Sequence, residues 1–457
     1  MLIDQYRSLL TQGWQEAFPQ QRTLQRAVEH ALTNPCCYGR RTLSRTICAL
    51  NRHRQDWSAD YKIYSRSPWN ENNLFQPIID YHLTHYPHGF IPVALDDTKL
   101  KKNGRKIPGA SWQRDPLSPP FHTNFVYALR FIQAALIFPH DQAGGFDSRS
   151  LPIRFCEAPV VKKPGKRAGP DDITAYRQLK KQFSLSAQTL TLVREIRLTL
   201  DQRGAAHRFL LLLLDGSFCN RIVFRSSDPL IEMVARCRKD ARLCLPAAPG
   251  QRRKYDPNIF TPEQVRQDDS IPYQTVDIRF GGKTRTIRYK ERLNVLWRRG
   301  AATRPLRLIV IAPQPYKVSP HARTNYRQPA YLLCTDLSSS IQALIQAYFD
   351  RWQIEVNHRD EKSILGVGQA QLRSKRSVPR QPAFMVASYS LMLLSALKEF
   401  GPTRTADYMP LPKWRKQVSR PSLLDIIALM RKEHDETRVS TPLSLNLTRN
   451  TANYAYT

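Results

Sequence analysis

The sequence predicts an α/β fold: a mixed sheet flanked by helices, with a β-rich insertion and a helical N-terminal domain. Three observations predict it. Residues 1–85 show helical periodicity. Short apolar runs typical of strands then follow in the order strand, strand, strand, helix, strand. Between about 246 and 333, apolar and basic residues alternate around a Gly-Gly pair. Strands and helices that share one region in this way indicate an α/β core.

The first 85 residues are predicted to be helical because apolar residues recur every three or four positions, most clearly in 23–32 and 42–52. The second segment and its flanks, residues 39–54, are rich in arginine: Arg40, Arg41, Arg45, Arg52 and Arg54. Such a helix either contacts DNA, as in a helix-turn-helix, or is a solvated basic helix of a bundle, and the sequence leaves both readings open. The region is interpreted as an N-terminal DNA-binding domain.

Two apolar runs end on aspartates. Residues 89–97 (GFIPVALDD) close on Asp97 and residues 207–215 (HRFLLLLLD) close on Asp215. Both runs are predicted strands, and an acid at the end of a buried strand is held rigidly beside the crevice outside the sheet. These runs fall in a domain that is predicted to be split between residues 86–245 and 334–400.

Residues 246–333 are predicted to form the insertion, with a hairpin at Gly281–Gly282. Its segment 279–307 holds ten basic residues against one acid, which suits contact with phosphates. We expect the insertion to stand apart as a small β unit with its basic face toward the catalytic crevice. Residues 401–457 form a C-terminal region with one predicted helix at 422–431.

Composition narrows the class of protein. The 457 residues include 70 Lys and Arg against 38 Asp and Glu, a formal net charge of +32. That surplus indicates a polyanionic partner, nucleic acid first, although a merely solvated basic surface is the alternative. A hydrophobic content of 41% excludes wholesale disorder. The longest uncharged apolar stretch, 384–397, is shorter than the ~18–20 residues that a membrane span requires. The eight cysteines form no CxxC pair, which favours a reduced, intracellular protein.

The strongest pattern lies in a helix predicted over about 338–364. Tyr348, Arg351, Glu355 and Lys362 are at offsets 0, 3, 7 and 14, which an ideal helix at roughly 100° per residue places on one narrow face about 20 Å long. The two cations and the phenol of this row could lie along a phosphate backbone, and the one carboxylate among them could bind a metal ion. An exposed helix with ordinary charge pairs is the alternative.

One carboxylate does not hold a catalytic metal, so the two aspartates at the ends of apolar runs complete the set. Asp97, Asp215 and Glu355 supply hard oxygen ligands of the kind that Mg²⁺ prefers. Three carboxylates in one place repel one another unless divalent ions neutralise them. The inventory is that of a two-metal site for phosphoryl transfer.

At this point the sequence resembles a known family. Tyr348-x2-Arg351-x3-Glu355-x6-Lys362 is similar to the YREK signature of one group of bacterial insertion-sequence transposases, which are DDE transposases with a ribonuclease H-like catalytic core. LDDT at 95–98 and LLLLDGSFCN at 211–220 resemble the family's first and second acid motifs. The resemblance covers about residues 85–400.

The resemblance implies roles for the matching positions. Asp97, Asp215 and Glu355 would bind two Mg²⁺ or Mn²⁺ ions in each active site. Asp97 is preferred to Asp96 because the family's acid directly precedes a threonine, here Thr98.

The resemblance also implies DNA contacts. Tyr348, Arg351 and Lys362 would hold the terminal phosphates and distorted end nucleotides. In several members a tryptophan of the insertion stacks on a flipped base, and Trp297 is the one tryptophan of the insertion here. Its basic neighbours Arg298 and Arg299 are added as DNA-binding candidates.

The implied activity is cutting and joining the ends of an insertion sequence. The implied partners are double-stranded DNA at terminal inverted repeats, target DNA and a second subunit in a homodimeric synaptic complex, in the bacterial cytoplasm at the nucleoid and without a membrane. The alternative is a domesticated relative that binds DNA without cutting it. A basic RNA-binding nuclease would need an RNA-reading module such as RRM or KH, and the sequence shows none.

Overall fold

The computed structural model describes residues 1–115, 117–119, 121–138, 147–226, 228–319, 321–415 and 418–440, with side chains described up to 436 in the last range. These residues form a mixed ten-stranded sheet flanked by helices, with a separate two-stranded ribbon. The prediction of a mixed α/β fold is therefore confirmed.

The first 85 residues are helical, as predicted. The helices are α1 (Leu2–Gly13), α2 (Gln21–Cys36), α3 (Leu43–Ala49), α4 (Ser58–Ser65), a 3-10 turn (Asn72–Phe75) and α5 (Gln76–His85). Their apolar faces are buried in a hydrophobic cluster that also contains side chains of the sheet and of a later helix, residues 377–400. The N-terminal helices thus share one core with the rest of the described chain.

The first half of the chain supplies one side of the sheet. Its strands are β1 (Ile91–Lys101), β2 (Ser111–Arg114), β3 (Phe125–Phe138), β4 (Arg149–Glu157), β5 (Leu210–Leu214) and β6 (Ile231–Arg236). Helices α6 (Pro170–Gln182) and α7 (Leu185–Leu200) precede β5, and the short α8 (Arg221–Phe224) follows it. β1 pairs with β5 in parallel and with β3 antiparallel, and β5 pairs with β6 in parallel. All five leucines of β5 are buried, as in a central strand covered on each face.

The insertion does not stand apart, so that expectation is wrong. After α9 (Pro262–Gln267) come β7 (Gln274–Phe280), β8 (Lys283–Leu296), β9 (Pro305–Ile311), β10 (Pro315–Tyr316), β11 (Asn325–Tyr326) and β12 (Ala330–Cys334). The sheet continues from β6 through β12, β9, β8 and β7. β12 pairs antiparallel along β6, with Leu333 opposite Ala235, because β6 would otherwise leave its backbone hydrogen-bonding groups unpaired.

The predicted helix over 338–364 is broken. It consists of α10 (Ile341–Asp350), α11 (Gln353–Arg359) and a π-helical turn (Asp360–Ile364). The Ser340 side chain caps α10 by accepting a hydrogen bond from the backbone of Ala343. The turn between α10 and α11 and the wider π turn change the angular spacing on which the sequence argument relied.

Two further helices complete the described chain, α12 (Ser377–Phe400) and α13 (Leu423–Ser440). The predicted C-terminal helix exists but runs further than 422–431, and residues 441–457 lie outside the described residues. Among the described residues, α12 alone is long and apolar enough to cross a membrane. However, 78% of its apolar window is buried inside the protein, the position of a core helix in a soluble protein.

Helix α1 begins on a contact with the last described helix. The backbone N–H groups of Leu2 and Ile3 donate to the two carboxylate oxygens of Glu433, at 3.0 and 2.8 Å. A carboxylate at a helix N-terminus satisfies donors that have no partner within the helix and interacts favourably with the helix dipole. The two ends of the described chain are therefore joined directly.

Asp350, at the end of α10, is a buried acid whose ionisation opposes folding. It accepts hydrogen bonds from the Ser148 hydroxyl at 2.6 Å and from the Gln346 amide at 2.9 Å. Burial raises its pKa to about 7, although both hydrogen bonds lower it. An unfolded Asp has a pKa of about 4, so between pH 4 and about pH 7 this residue binds more protons in the folded state than in the unfolded state. Its contribution to stability therefore falls as the pH rises through this range.

We therefore expect Asp350→Asn to gain stability relative to the wild type as pH rises from about 4 to about 8. The change in relative stability should be on the order of 2–4 kcal/mol, because each unit of pKa shift corresponds to about 1.4 kcal/mol. Urea denaturation at both pH values measures it. A difference in unfolding free energy that is the same at both pH values would contradict the prediction.

Candidate active site

The sequence predicted that Asp97 ends its strand. In the structure, Asp97 lies within β1 instead. β1 continues to Lys101, and β3 pairs with it throughout, with Asp96 opposite Gln133 and Asp97 opposite Ile132. The prediction was wrong because the apolar pattern stops at Leu95, whereas the hydrogen bonds to β3 do not. The two aspartates therefore sit on a rigid, paired stretch of backbone.

Successive side chains of a strand point to opposite faces of its sheet, so Asp96 and Asp97 point apart. Asp96 shares a face with Gln133 and lies 3.6 Å from His358 of α11. Asp97 is on the other face, where its pKa is raised by burial and by the charge of Asp96, against the opposing effect of Arg130. The structure thus brings Asp96, rather than Asp97, to the helix that carries the third predicted acid.

Asp215 directly follows β5, the strand beside β1, as the sequence predicted. Its carboxylate accepts hydrogen bonds from the backbone N–H and the hydroxyl of Ser217, at 2.8 and 2.6 Å. Its charge contributes to the raised pKa values of both Asp97 and Tyr348, which places it at the same end of the sheet. The turn that follows β5 holds this carboxylate in place.

Glu355 lies on α11, which packs against β1 and β4. Its carboxylate is 3.1 Å from the guanidinium of Arg351. Burial raises the pKa of Glu355, Arg351 opposes this, and the negative charge of Asp96 adds to it. Glu355 and Asp96 are therefore within electrostatic range of each other, with one arginine beside them.

The four residues of the signature do not form one straight row. The Arg351 guanidinium lies over the Tyr348 ring, 5.8 Å from its centroid, and pairs with Glu355. Lys362 is in the π turn, where burial lowers its pKa and the carboxylates of Glu361, Asp96 and Asp97 oppose that shift. Three members thus contact one another along the helix, and the lysine lies nearer to the acids of β1.

A buried histidine that the sequence did not single out connects these elements. His358 lies 3.6 Å from Asp96 and 3.5 Å from Glu361, and Glu361 accepts a 2.9 Å hydrogen bond from Gln133. Burial lowers the pKa of His358, but the two carboxylates outweigh it and raise the pKa to about 9. The imidazolium holds Asp96 in place. Its position three residues after Glu355 was the available signal.

The Trp297 side chain is partly buried, so its stacking on a base stays a prediction. The ring packs edge-on against Phe224, with centroids 5.5 Å apart, and lies so close over Gly300 that a Cβ there would be 2.1 Å from it. The ring thus lies between the insertion and α8. Its neighbours Arg298 and Arg299 are exposed, so they stay as candidate DNA contacts.

A cavity of about 730 Å³ next to Asp215 was not foreseen. Gly216 lines it together with charged side chains of both signs, among which Arg238 pairs with Asp240 and Arg266 pairs with Glu263. Arg236, at the end of β6, contributes a positive charge that lowers the pKa of Tyr348 against the effect of burial. The basic run ARCRK at 235–239 was the available signal.

The basic segment 279–307 is only partly a surface for phosphates. Lys290 is buried and donates to two backbone carbonyls, Arg307 pairs with Glu291, and Arg304 pairs with Glu232. Other members remain exposed on or beside β8: Lys283, Arg285, Arg288, Arg298 and Arg299. About half of the predicted charge surface is therefore accessible.

The N-terminal arginines divide in the same way. Arg41 donates to the backbone carbonyls of Asn34, Cys37 and Ile364, and Arg52 pairs with Glu29 and Asp60. Others near α3 are exposed, for example Arg40 and Arg45, while Arg54 is exposed in the following turn. Both readings of this helix thus stay open, with three arginines available to a partner.

The chemistry of the donors fits a divalent cation, since Asp96, Asp215 and Glu355 are carboxylates at one end of the sheet, and burial disfavours the charge of Glu355. In the described part of the chain, however, no three His, Cys, Asp or Glu side chains already stand in a closed ligand set. Asp96 and Glu355 are within electrostatic range of each other, and Asp215 follows the strand that pairs with β1.

Comparison with known proteins adds no identity to this geometry. No protein-family model matches the chain, and a search of curated proteins finds no similar sequence. What the site is for has to be argued from its own residues.

Proposed function

We propose that the protein is a DNA transposase that cuts and joins the ends of an insertion sequence. The observation that carries the proposal is that three acids from distant parts of the chain lie on neighbouring elements. Asp96 is on β1, Asp215 follows the paired strand β5, and Glu355 is on α11, which packs against β1. Several acids with Arg351 of the signature beside them suit phosphoryl transfer.

We propose further that the core is ribonuclease H-like. Two relations support this finer assignment, and both are required by the resemblance in the sequence. The strands that carry the first two acids are adjacent in one mixed sheet, and the third acid lies on a helix packed against that sheet. The antiparallel strands β3 and β4 extend the sheet beyond β1.

In this proposal Asp96 takes the place that the sequence assigned to Asp97. Asp96, Asp215 and Glu355 would hold Mg²⁺ or Mn²⁺. When bound, such ions activate a water molecule and stabilise the charge that develops on the attacked phosphate. His358 fixes the Asp96 carboxylate, and the Ser217 turn fixes Asp215. Preorganised ligands cost less reorganisation at the moment of reaction.

The cations of the site have a separate task. Arg351 is buried between Tyr348 and Glu355, which hold its guanidinium in one orientation. A guanidinium held in this way suits a phosphate beside the scissile bond. The exposed arginines of β6 and β8 extend the positive surface from there. A duplex that follows this surface would meet the acids at its end.

The competing function is sequence-specific DNA binding without cleavage. The open arrangement of the acids is the one observation that favours it. Both functions predict DNA binding, so the test must separate binding from cutting.

The test uses a plasmid that carries the reading frame with its natural flanking DNA, incubated with the purified protein. We expect cleavage at the element's ends with Mg²⁺ and none after chelation with EDTA, while binding of the end fragment persists in both. Metal-independent cleavage, or binding without cleavage at any concentration of Mg²⁺ or Mn²⁺, would contradict the proposal. Inverted repeats in the flanking sequence would identify the fragments to use.

A further inference from the structure

Beyond the end of β1, strands β2 and β3 continue as a ribbon with an aromatic surface. Trp112 and Phe125 are 68% and 61% exposed, and the rings of Trp112 and Tyr127 lie against each other with centroids 5.6 Å apart. In the register, Trp112 is opposite Tyr127 and Arg114 is opposite Phe125, so the four side chains share one face. We call these four residues the β2–β3 platform. Exposed aromatic surface of this kind marks an interaction site.

The charge around the platform is positive. Between residues 98 and 127 the only acid is Asp115, which already lies 3.9 Å from Lys101. The same segment carries five cations that are not buried: Lys99, Lys101, Arg105, Lys106 and Arg114. A partner that offers apolar flat surfaces together with negative charge fits this combination, and unpaired nucleotides offer both. A duplex fits less well, because its base faces are hidden in the stack.

The platform adjoins the candidate active site. The ammonium of Lys99 donates to the backbone carbonyl of Arg114 at the end of β2, and burial lowers its pKa while the nearby charge of Asp97 raises it. Lys99 lies on the face of Asp97, whereas Tyr127 lies on the face of Asp96, because Asp96 is opposite Gln133 and side chains alternate along β3. Tyr127 is six residues before Gln133, roughly 20 Å along the strand. A DNA strand whose phosphate reaches the acids therefore has nucleotides a few positions away at the distance of these rings.

We infer that the β2–β3 platform stacks unpaired bases of a DNA strand beside the active site. The inference rests on the proposed function in assigning DNA to this end of the sheet, but it concerns binding alone and needs no cleavage.

Binding without divalent metal tests the inference, measured by fluorescence anisotropy with a short oligothymidine and with a blunt duplex as probes. Trp112→Ala should weaken binding of oligothymidine about tenfold, the order expected for one lost stacking contact, and should leave duplex binding within about twofold. Trp112→Phe keeps a ring and should retain most of the affinity. Trp414→Ala is the matched control, since Trp414 is 89% exposed and lies between Lys413 and Arg415.

Three results would overturn the inference. The first is an equal loss of affinity for oligothymidine and for the duplex in Trp112→Ala. The second is an equal loss of affinity for oligothymidine in Trp112→Phe and Trp112→Ala, and the third is a similar loss in Trp414→Ala. A concentration-dependent dimer that Trp112→Ala abolishes would assign the platform to a second copy of the chain instead. Asp215→Asn separates this inference from the proposed function, because it should bind oligothymidine at least as tightly as the wild type.

Discussion

Asp96→Asn should abolish cleavage at the element's ends, whereas Asp97→Asn should reduce it by no more than about tenfold. The amide keeps the shape of the side chain but removes a metal ligand on the face of α11, where Asp96 meets His358. Several kcal/mol of transition-state stabilisation depend on a bound metal ion, so the expected loss is roughly a thousandfold or more. Single-turnover rates with Mg²⁺ on end-containing DNA measure it.

Asp215→Asn and Glu355→Gln serve as reference variants and should lose as much as Asp96→Asn. All of them should keep their affinity for the same DNA, since each removes negative charge from a surface that binds phosphates. If Asp97→Asn is the inactive variant and Asp96→Asn stays active, the alternation of β1 has been misjudged. If every variant cuts the DNA at the wild-type rate, the catalytic proposal is wrong.

Arg380→Met should lower the free energy of unfolding by about 2–4 kcal/mol, because backbone acceptors lose the charged donor that a buried guanidinium supplies. Arg380 is 1% exposed and lies over the ring of Trp69, 4.0 Å from its centroid. It pairs with Glu71 at 2.8 Å and donates to the backbone carbonyls of Ser67 and Trp69. Methionine keeps the length but leaves those buried acceptors without a donor.

Arg376→Met, one turn earlier at the N-cap of α12, is the matched control. Arg376 is exposed and donates one 3.2 Å hydrogen bond to the carbonyl of Arg66, so its loss should cost below about 1 kcal/mol. Denaturant titration of both variants gives the comparison. A cost for Arg380→Met no greater than that of the control would show that the N-terminal helices are held to α12 by apolar packing alone.

Much of the fold was accessible from the sequence because local patterns encode elements. The run at 210–214 and the aspartate after it were found correctly, since an uninterrupted leucine strand has few other interpretations. The position of Asp97 within β1 was not predicted, because the residues after Leu95 are polar. Their strand geometry comes from pairing with β3, which follows more than 20 residues later. Pairing partners are a tertiary property that local periodicity does not contain.

The same limit explains the insertion and the signature helix. β12 joins the sheet by pairing with β6, about a hundred residues earlier, so the sequence showed the strands but not their attachment. The offsets of Tyr348, Arg351 and Glu355 gave true neighbours, because three and four residues span one helical turn. Lys362 lies within the π turn, where ideal angular spacing fails.

The contact between Glu433 and the start of α1 sets an order of events during synthesis. The two partners are 430 residues apart, and a ribosome adds roughly 5–20 residues per second. About 20–90 s therefore pass between the emergence of the first helix and that of its cap. Throughout that interval the leading end of the nascent chain presents uncapped N–H groups and an apolar face whose partners in α12 and α13 are not yet made. The packing of α1 is completed only after residue 433 has left the ribosome. Until then the exposed apolar face of the nascent chain needs protection from aggregation.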